Sequence, residues 1–367
     1  MAEPPISPRD DLALFEGYHS PQVDVEVRLN TNESPEPPPA ALVGQVAAAL
    51  GDIAWNRYPD RTASGLRNRI AGLHACQPGQ VFCANGSNEV LQSLLLAYGG
   101  PGRTAMVWEP TYALHSHIAR LVGTNVVAEV RRDDFTVDVA AAVDAIREHR
   151  PAVAFVCSPN NPTGTAADRD LLEALVDVAV ETRTLVVVDE AYGQFATTTA
   201  LDLVADGLPL AVTRTFSKTW SLAALRLGYA VAPAWLVDQL ELVSLPYRVD
   251  AVQQVAGVLA LDHVDDMERR VAQVVAGRQR IEAQLAAMGA TVWSSQANFV
   301  LFRPPADDDV AGRGDRLWQQ LVDRSVLVRN CSGWPGLQGC LRVTVGTPTE
   351  NERFLEAMAD SLAPGAG

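Results

Sequence analysis

The stretch Thr184-Leu185-Val186-Val187-Val188-Asp189-Glu190-Ala191-Tyr192 decides how the rest of the chain is read. Residues 184–188 are apolar or β-branched without alternation, so a strand here is buried on both faces. A parallel sheet covered by helices on each side requires that. At its end the run meets a carboxylate, and in open parallel sheets ligands bind beyond the carboxyl ends of the strands.

The same pattern repeats outward from this run. Thr104–Trp108, Ala152–Cys157, Ala211–Thr215 and Leu227–Val231 read as further strands, while Ser87–Tyr98, Val139–His149 and Arg169–Glu181 carry apolar residues at helical spacing. Alternation of this kind makes βαβ units, and the fold class is α/β. Two more strands end in polar groups: Ala152–Cys157 runs into Ser158-Pro-Asn-Asn-Pro-Thr-Gly164, and Ala211–Thr215 into Phe216-Ser217-Lys218. After Pro246 comes a long helical stretch, Val252–Met288, then short strands (Asn298–Phe302, Cys340–Val345) and two more helices. Three parts are expected: a Pro-rich, acidic arm over 1–39 with little regular structure of its own, a large domain over 40–245, and a smaller α+β domain over 246–367. Pro304-Pro305 and Asp307-Asp308-Asp309 read as a solvated loop inside the last part.

Composition sets the limits on partners. The 367 residues are 48% hydrophobic and 20% charged, as in soluble globular chains. With 29 Lys and Arg against 44 Asp and Glu, the net charge of −15 disfavours nucleic acid and anionic membranes. An anionic substrate must then be caught by a few Arg residues in a pocket. Cys76, Cys83, Cys157, Cys331 and Cys340 show no CxxC spacing and no neighbouring His pairs, so they read as reduced thiols of a cytoplasmic protein, not as metal ligands. The first residues, MAEPPISPRDD, lack the basic and apolar regions of a signal peptide, and no 18 apolar residues run together.

Lys218 ends a strand in Thr215-Phe-Ser217-Lys218, with Arg226 eight residues on. An amine so placed, among hydroxyls and a guanidinium, suits a Schiff base to pyridoxal 5'-phosphate, with Ser217 and Arg226 on the phosphate. Alone, the same residues read more simply as a surface lysine beside a helix cap. Asp189 shifts that balance, because a carboxylate ending a buried apolar strand is costly unless it meets a cation, and the cofactor's pyridinium nitrogen is one. A helix N-cap would use the same carboxylate, and both roles are compatible. Tyr192 and Asn161 could each donate to the ring's phenolate oxygen. Ala84-Asn-Gly-Ser87-Asn88-Glu89 opens a helix after a strand, so its N–H groups and the Ser87 hydroxyl are available to a phosphate, or form a plain capping box. Tyr112, in Glu109-Pro-Thr-Tyr112, is placed to stack on the ring or to pack in the core.

Together, Asn160-Asn161-Pro-Thr-Gly164, Asp189-Glu-Ala-Tyr192 and Arg214-Thr-Phe-Ser-Lys218 with Arg226-Leu-Gly-Tyr229 resemble, in order and spacing, the fold-type I pyridoxal-phosphate aminotransferases. The likeness is greatest to the histidinol-phosphate aminotransferases of actinobacterial type. Leu29-Asn-Thr-Asn-Glu33, Arg57-Tyr58-Pro-Asp60, Ala84–Glu89, Val328-Arg329-Asn330 and Gly339-Cys-Leu-Arg342-Val-Thr-Val-Gly346 extend it along nearly the whole chain. The resemblance implies a mostly parallel seven-stranded sheet in the large domain and pyridoxal 5'-phosphate as cofactor. It implies transfer of an amino group between histidinol phosphate or imidazole-acetol phosphate and glutamate or 2-oxoglutarate, in histidine biosynthesis. Lys218 would carry the cofactor and move the proton between Cα and C4′, with Asp189 on the ring nitrogen and Asn161 and Tyr192 on the phenolate oxygen. Ser87, Asn88, Thr215, Ser217 and Arg226 would surround the phosphate. Tyr58 would reach the phosphate of the neighbouring subunit's cofactor, which implies a homodimer. Arg342 would hold the substrate's phosphate together with Arg329, two guanidiniums suiting a dianion, and Tyr18 of the arm would close the pocket. A salt-bridged surface pair is the plain alternative for the two arginines.

Departures from the family pattern bear on the substrate. Ala223-Ala224 stands where Ala-Gly is usual, Trp220 where Phe is usual, and Arg248-Val-Asp250 where polar uncharged residues are common. Arg248 and Asp250 could pair with each other or signal a changed substrate. The rival readings on the same scaffold are an aromatic-amino-acid aminotransferase and a phosphothreonine-type decarboxylase. A nucleotide-binding α/β protein would need GxxxxGK[ST] or GxGxxG after a strand, and neither is present. A cofactor-sensing regulator would need an added basic DNA-binding segment, which this acidic chain lacks.

Overall fold

The computed structural model describes residues 6, 9, 22–305 and 310–363. In chain order the elements are β1 (Val27–Leu29), α1 (Ala40–Ala49), α2 (Ser64–Leu73), β2 (Val81–Ala84), α3 (Ser87–Tyr98), β3 (Thr104–Glu109), α4 (Ala113–Leu121) and β4 (Asn125–Val130). Then follow α5 (Val139–His149), β5 (Val153–Cys157), α6 (Arg169–Thr182), β6 (Leu185–Asp189), β7 (Leu210–Thr215), β8 (Gly228–Val231) and α7 (Ala234–Val243). The last third holds α8 (Ala251–Ala260), α9 (Val264–Ala287), β9 (Thr291–Val292), β10 (Phe299–Arg303), α10 (Val310–Asp323), β11 (Val326–Asn330), β12 (Leu341–Thr344) and α11 (Pro348–Leu362).

A seven-stranded sheet runs in the order β2-β8-β7-β6-β5-β3-β4, and only β8 is antiparallel to its neighbours. The α/β class and the mostly parallel sheet are therefore as expected. Successive residues of its central strands serve opposite faces. Val153, Phe155, Leu185 and Val187 pack with Leu91, Leu94 and Ile118 of α3 and α4. Ala154, Val156, Val186 and Val188 pack with Ile146, Leu171 and Leu175 of α5 and α6. Each fully buried Val or Leu contributes about 1.5–3 kcal/mol relative to exposure, which is why these runs are apolar without alternation. Asp189 keeps the parity of Leu185 and Val187, so its carboxylate emerges on the α3/α4 face.

The second sheet has the order β1-β11-β12-β10-β9, with β1 parallel to β11 and the other pairs antiparallel. Its inner face, with Phe299, Val328 and Val343, packs on Ile281 and Leu285 of α9 and on Phe354 and Met358 of α11. Two features differ from the sequence expectation. The end of the arm forms β1 and is a strand of this sheet. The helical stretch 252–288 is two helices, α8 and α9, because the chain turns at Leu261-Asp262-His263, where Asp262 and His263 donate their N–H groups to Leu259 and Ala260. Asp307, Asp308 and Asp309 lie outside the described residues. No helix among the described residues is long and apolar enough to cross a membrane, and none of their His, Cys, Asp or Glu side chains cluster to hold a metal ion.

Candidate active site

The carboxyl ends of β5, β6 and β7, the start of α3, the segment after β1 and Arg342 of β12 enclose a cavity of about 450 Å³. That is the size of a small-molecule site, and it lies where a parallel sheet exposes its strand ends. Lys218 and Asp189 both line it.

Asp189 is 1% exposed. Its carboxylate accepts hydrogen bonds from His115 Nε2 (3.0 Å), Thr213 Oγ1 (3.1 Å) and the N–H of Ala191 (3.2 Å). His115, from α4, reaches it because both stand on the same face of the sheet. Its ring is fully buried, stacks on Phe155 at 4.8 Å between centroids and meets Tyr112 edge-on at 5.4 Å. A carboxylate so held has a fixed position and keeps an edge toward the cavity, which suits it to share a proton with a ring nitrogen.

Lys218 Nζ donates to the carbonyl of Thr31 (3.2 Å) and lies 5.8 Å from the centre of the Tyr192 ring. Burial first, then the positive charge of Arg342, lowers its amine from the ordinary 10.5 to about 8, with Arg226 adding to the effect and Glu33 opposing it. About a tenth of the amine is thus unprotonated at pH 7, far more than for an ordinary lysine, and able to attack a carbonyl. Tyr192 accepts a hydrogen bond from Asn32 Nδ2 at its hydroxyl oxygen (2.9 Å), and burial pushes that hydroxyl well above its usual range, so it stays a neutral donor. Arg342, 5% exposed, donates to Asn161 Oδ1 and to the Asn30 carbonyl (2.9 Å) and covers the face of Phe299 at 5.1 Å. Its Nε is buried without an acceptor among the described residues.

A cup of donors forms the opposite end. Ser87 and Asn88 are the first residues of α3, where a helix favours anions. Gly86 precedes them at φ 83°, and a Cβ there would meet Arg226 Nη2 at 2.7 Å. Thr215 ends β7 and Ser217 follows it, their hydroxyls 3.0 Å apart, and Arg226 Nη1 donates to Ser217 Oγ (3.3 Å). Hydroxyls, a helix start and a guanidinium converging on one space fit a phosphate.

Of the residues singled out from sequence, the cavity thus brings together Lys218, Asp189, Tyr192, Asn161, Ser87, Asn88, Tyr112, Thr215, Ser217, Arg226 and Arg342. Tyr112 donates to Asn88 Oδ1 (3.2 Å). Tyr18 lies outside the described residues. Tyr58 is 79% exposed on a single chain and stacks on Tyr247 at 4.4 Å, away from this chain's cavity. Arg329 stands directly across the β11–β12 ladder from Arg342, yet it does not line the cavity; its guanidinium lies over Trp334 at 5.8 Å.

The departures from the family pattern also find places. Ala223 and Ala224 begin a single turn of 3₁₀ helix and line the cavity, so the second methyl causes no backbone conflict. Trp220 is buried against Phe216. Arg248 pairs with Glu241 through two bonds (2.8 and 3.0 Å) and donates to the Cys83 carbonyl, and Asp250 caps α8. Neither faces the cavity.

His115 is not among the residues singled out from sequence, and Thr31 and Asn32 are there only as part of Leu29–Glu33, without a role. His115 offered one usable signal, three residues after Tyr112 on the same helix turn; the other two meet their partners only through the tertiary fold.

The family model for aminotransferases of class I and II matches residues 25–358. The chain is 44% identical over 369 residues to a histidinol-phosphate aminotransferase from Frankia casuarinae, covering 96% of this chain and 90% of that protein. It is 45% identical over 362 residues to one from Streptomyces avermitilis, covering 96% and 95%. Among solved structures, the crystal structure of histidinol-phosphate aminotransferase from Sinorhizobium meliloti in complex with pyridoxal-5'-phosphate superposes with a TM-score of 0.83 at 23% identity, covering 92% of this chain and 91% of that one. An L-threonine-O-3-phosphate decarboxylase from Porphyromonas gingivalis shares the fold at a TM-score of 0.77 and 21% identity, covering 92% and 99%.

Proposed function

The chain belongs to the aminotransferases of class I and II, and from that premise we propose that it transfers an amino group between histidinol phosphate or imidazole-acetol phosphate and glutamate or 2-oxoglutarate, as a step of histidine biosynthesis. One observation carries the reading: a buried carboxylate, a lysine amine and a cup of phosphate donors line a single cavity. That donor set fits pyridoxal 5'-phosphate. When bound, this cofactor supplies an electron sink for the bond being broken at the substrate's Cα.

The chain's own residues have separable tasks. The cup of Ser87, Asn88, Thr215, Ser217 and Arg226 would hold the cofactor's phosphate, and Asp189 would hold the proton on the ring nitrogen. Tyr192 and Asn161 would face the phenolate oxygen. Lys218 Nζ would hold the cofactor between turnovers and, once released by substrate, move the proton at the substrate's Cα. Tyr112, on the α4 side with His115, would cover one face of the ring and exclude water.

Arg342 would bind the substrate's anionic end. Arg329, its direct cross-strand neighbour, would be the second guanidinium for a dianionic substrate. The active unit would be a homodimer in which Tyr58 reaches the neighbouring cup. Trp55, Tyr58, Leu242 and Leu245 support this, being 70–79% exposed on the single chain. Five unpaired cysteines support a reducing, cytoplasmic setting. The arm, large domain and small domain divide at residues 39 and 245, in keeping with the two sheets.

An absorbance titration of the purified holoenzyme tests the reading. Histidinol phosphate is expected to discharge the visible absorbance at concentrations where phenylalanine and phosphothreonine do not. The reverse order would replace the proposed substrate.

A further inference from the structure

Gln253, the third residue of α8, is 4% exposed, and its side-chain amide is tied at both ends. Oε1 accepts the N–H of Asp250 (2.8 Å), while the N–H of Gln253 donates to the Asp250 carboxylate (2.7 Å), closing a capping box. With its oxygen so engaged, Nε2 turns to three acceptors: the carbonyl of Arg226 at 2.8 Å, Asn85 Oδ1 at 2.9 Å and the carbonyl of Leu225 at 3.1 Å. Backbone carbonyls only accept, so the amide has a single workable orientation. Two N–H groups serve three oxygens, one of them shared.

These acceptors belong to the two walls of the phosphate cup. Asn85 leads into Gly86, Ser87 and Asn88. Leu225 and Arg226 form the other wall, where Arg226 sits at φ 53°, a left-handed conformation that costs a residue with a side chain about 1 kcal/mol or more. The walls touch where the Arg226 guanidinium fills the space beside Gly86. Gln253 itself does not line the cavity.

We infer that Gln253 is a positioning residue for the cofactor's phosphate: its amide ties the two walls at the separation where Ser87, Ser217 and Arg226 converge on one dianion. Asp250 acts through it by fixing the amide's oxygen. The inference rests on the reading of the cup as the phosphate site given above.

The test compares two ligands that differ only in the phosphate. Dissociation constants for pyridoxal 5'-phosphate and for pyridoxal are measured by absorbance titration of the full-length chain freed of cofactor, for wild type, Gln253→Met and Gln253→Ala. Methionine keeps the length of the side chain and removes the donors. Both variants are expected to weaken pyridoxal 5'-phosphate about tenfold while pyridoxal changes less than about twofold, with thermal midpoints of the cofactor-free proteins near wild type. Equal weakening of both ligands, no weakening of either, or loss of the folded state in both variants would show a merely structural residue and overturn the inference. A wild-type preference for the phosphorylated ligand near unity would instead overturn the cup itself, and this inference with it.

Discussion

Lys218→Met in the cofactor-free protein should make the chain more stable while abolishing its chemistry. The amine sits at about 8 in the fold instead of its ordinary 10.5, chiefly because burial disfavours the charged form. At roughly 1.4 kcal/mol per tenfold change in proton affinity, the folded state carries a penalty on the order of 3 kcal/mol when the amine is protonated. Methionine removes that penalty and also the hydrogen bond to the Thr31 carbonyl, which contributes about 1 kcal/mol. The net gain at pH 7 is about 2 kcal/mol, or about 2–3 °C in Tm for a chain of this length. The sign follows from the two proton affinities. Below pH about 8 the lysine is charged in both folded and unfolded chains, so the penalty is fully present. Between about 8 and 10.5 the folded chain binds fewer protons than the unfolded one, so wild-type stability climbs with pH. Above 10.5 both are neutral, and the variant, lacking the hydrogen bond, becomes the less stable of the two. Urea unfolding of both proteins at pH 7 and at pH 10.5 measures this crossover. A variant no more stable than wild type at pH 7, or an equal difference at both pH values, would refute the placement of a strained amine in this cavity.

Arg342→Ala should raise KM roughly 100-fold for histidinol phosphate and strongly for glutamate, since a charge-assisted contact of about 2–3 kcal/mol is lost for both anions; steady-state kinetics that leave both KM values unchanged would move the substrate pocket elsewhere. Asp189→Asn keeps the side chain's size but removes its charge, and kcat should fall roughly 10²–10³-fold, with a loss smaller than tenfold arguing against a ring-nitrogen partner. Gly228→Ala would place a Cβ 2.3 Å from the backbone nitrogen of Ser87, so the protein should purify with little cofactor and unfold at a lower temperature, at a cost of about 1–3 kcal/mol; full occupancy and an unchanged Tm would contradict the close packing of the cup.

Much of this site could be read from residue order, for reasons that are local. The strands around Val153–Cys157 and Leu185–Asp189 are uniformly apolar because both sheet faces are covered, and this leaves Asp189 conspicuous. Helices α3 and α5 begin and end where their periodicity does. What escaped reading depends on distant partners. β1 is three residues long, and its register against Val326–Val328 spans about 300 residues of chain. The turn between α8 and α9 contains neither Gly nor Pro, so apolar periodicity continues through it. His115 and Asp189 are separated by 74 residues, and only the parity of β6 and the packing of α4 bring them together. The charges of Arg248 and Asp250 are visible in sequence, but Glu241 and the α8 start that engage them are not, which left a mutual pair and a changed substrate both open.

The short strand near the amino end has a consequence for how the protein is made. Synthesis runs from β1 toward β11, so Asn30, Thr31 and Asn32 leave the ribosome about 300 residues ahead of the strand that pairs with β1. Yet their partners are Arg342, Lys218, Tyr192 and Thr344, and β1 itself waits for β11. A nascent chain can therefore assemble the cup and the buried aspartate while β1 still lacks its partner strand. That segment docks only after β11 has been made, so Lys218 acquires its Thr31 partner late relative to the strands that carry it.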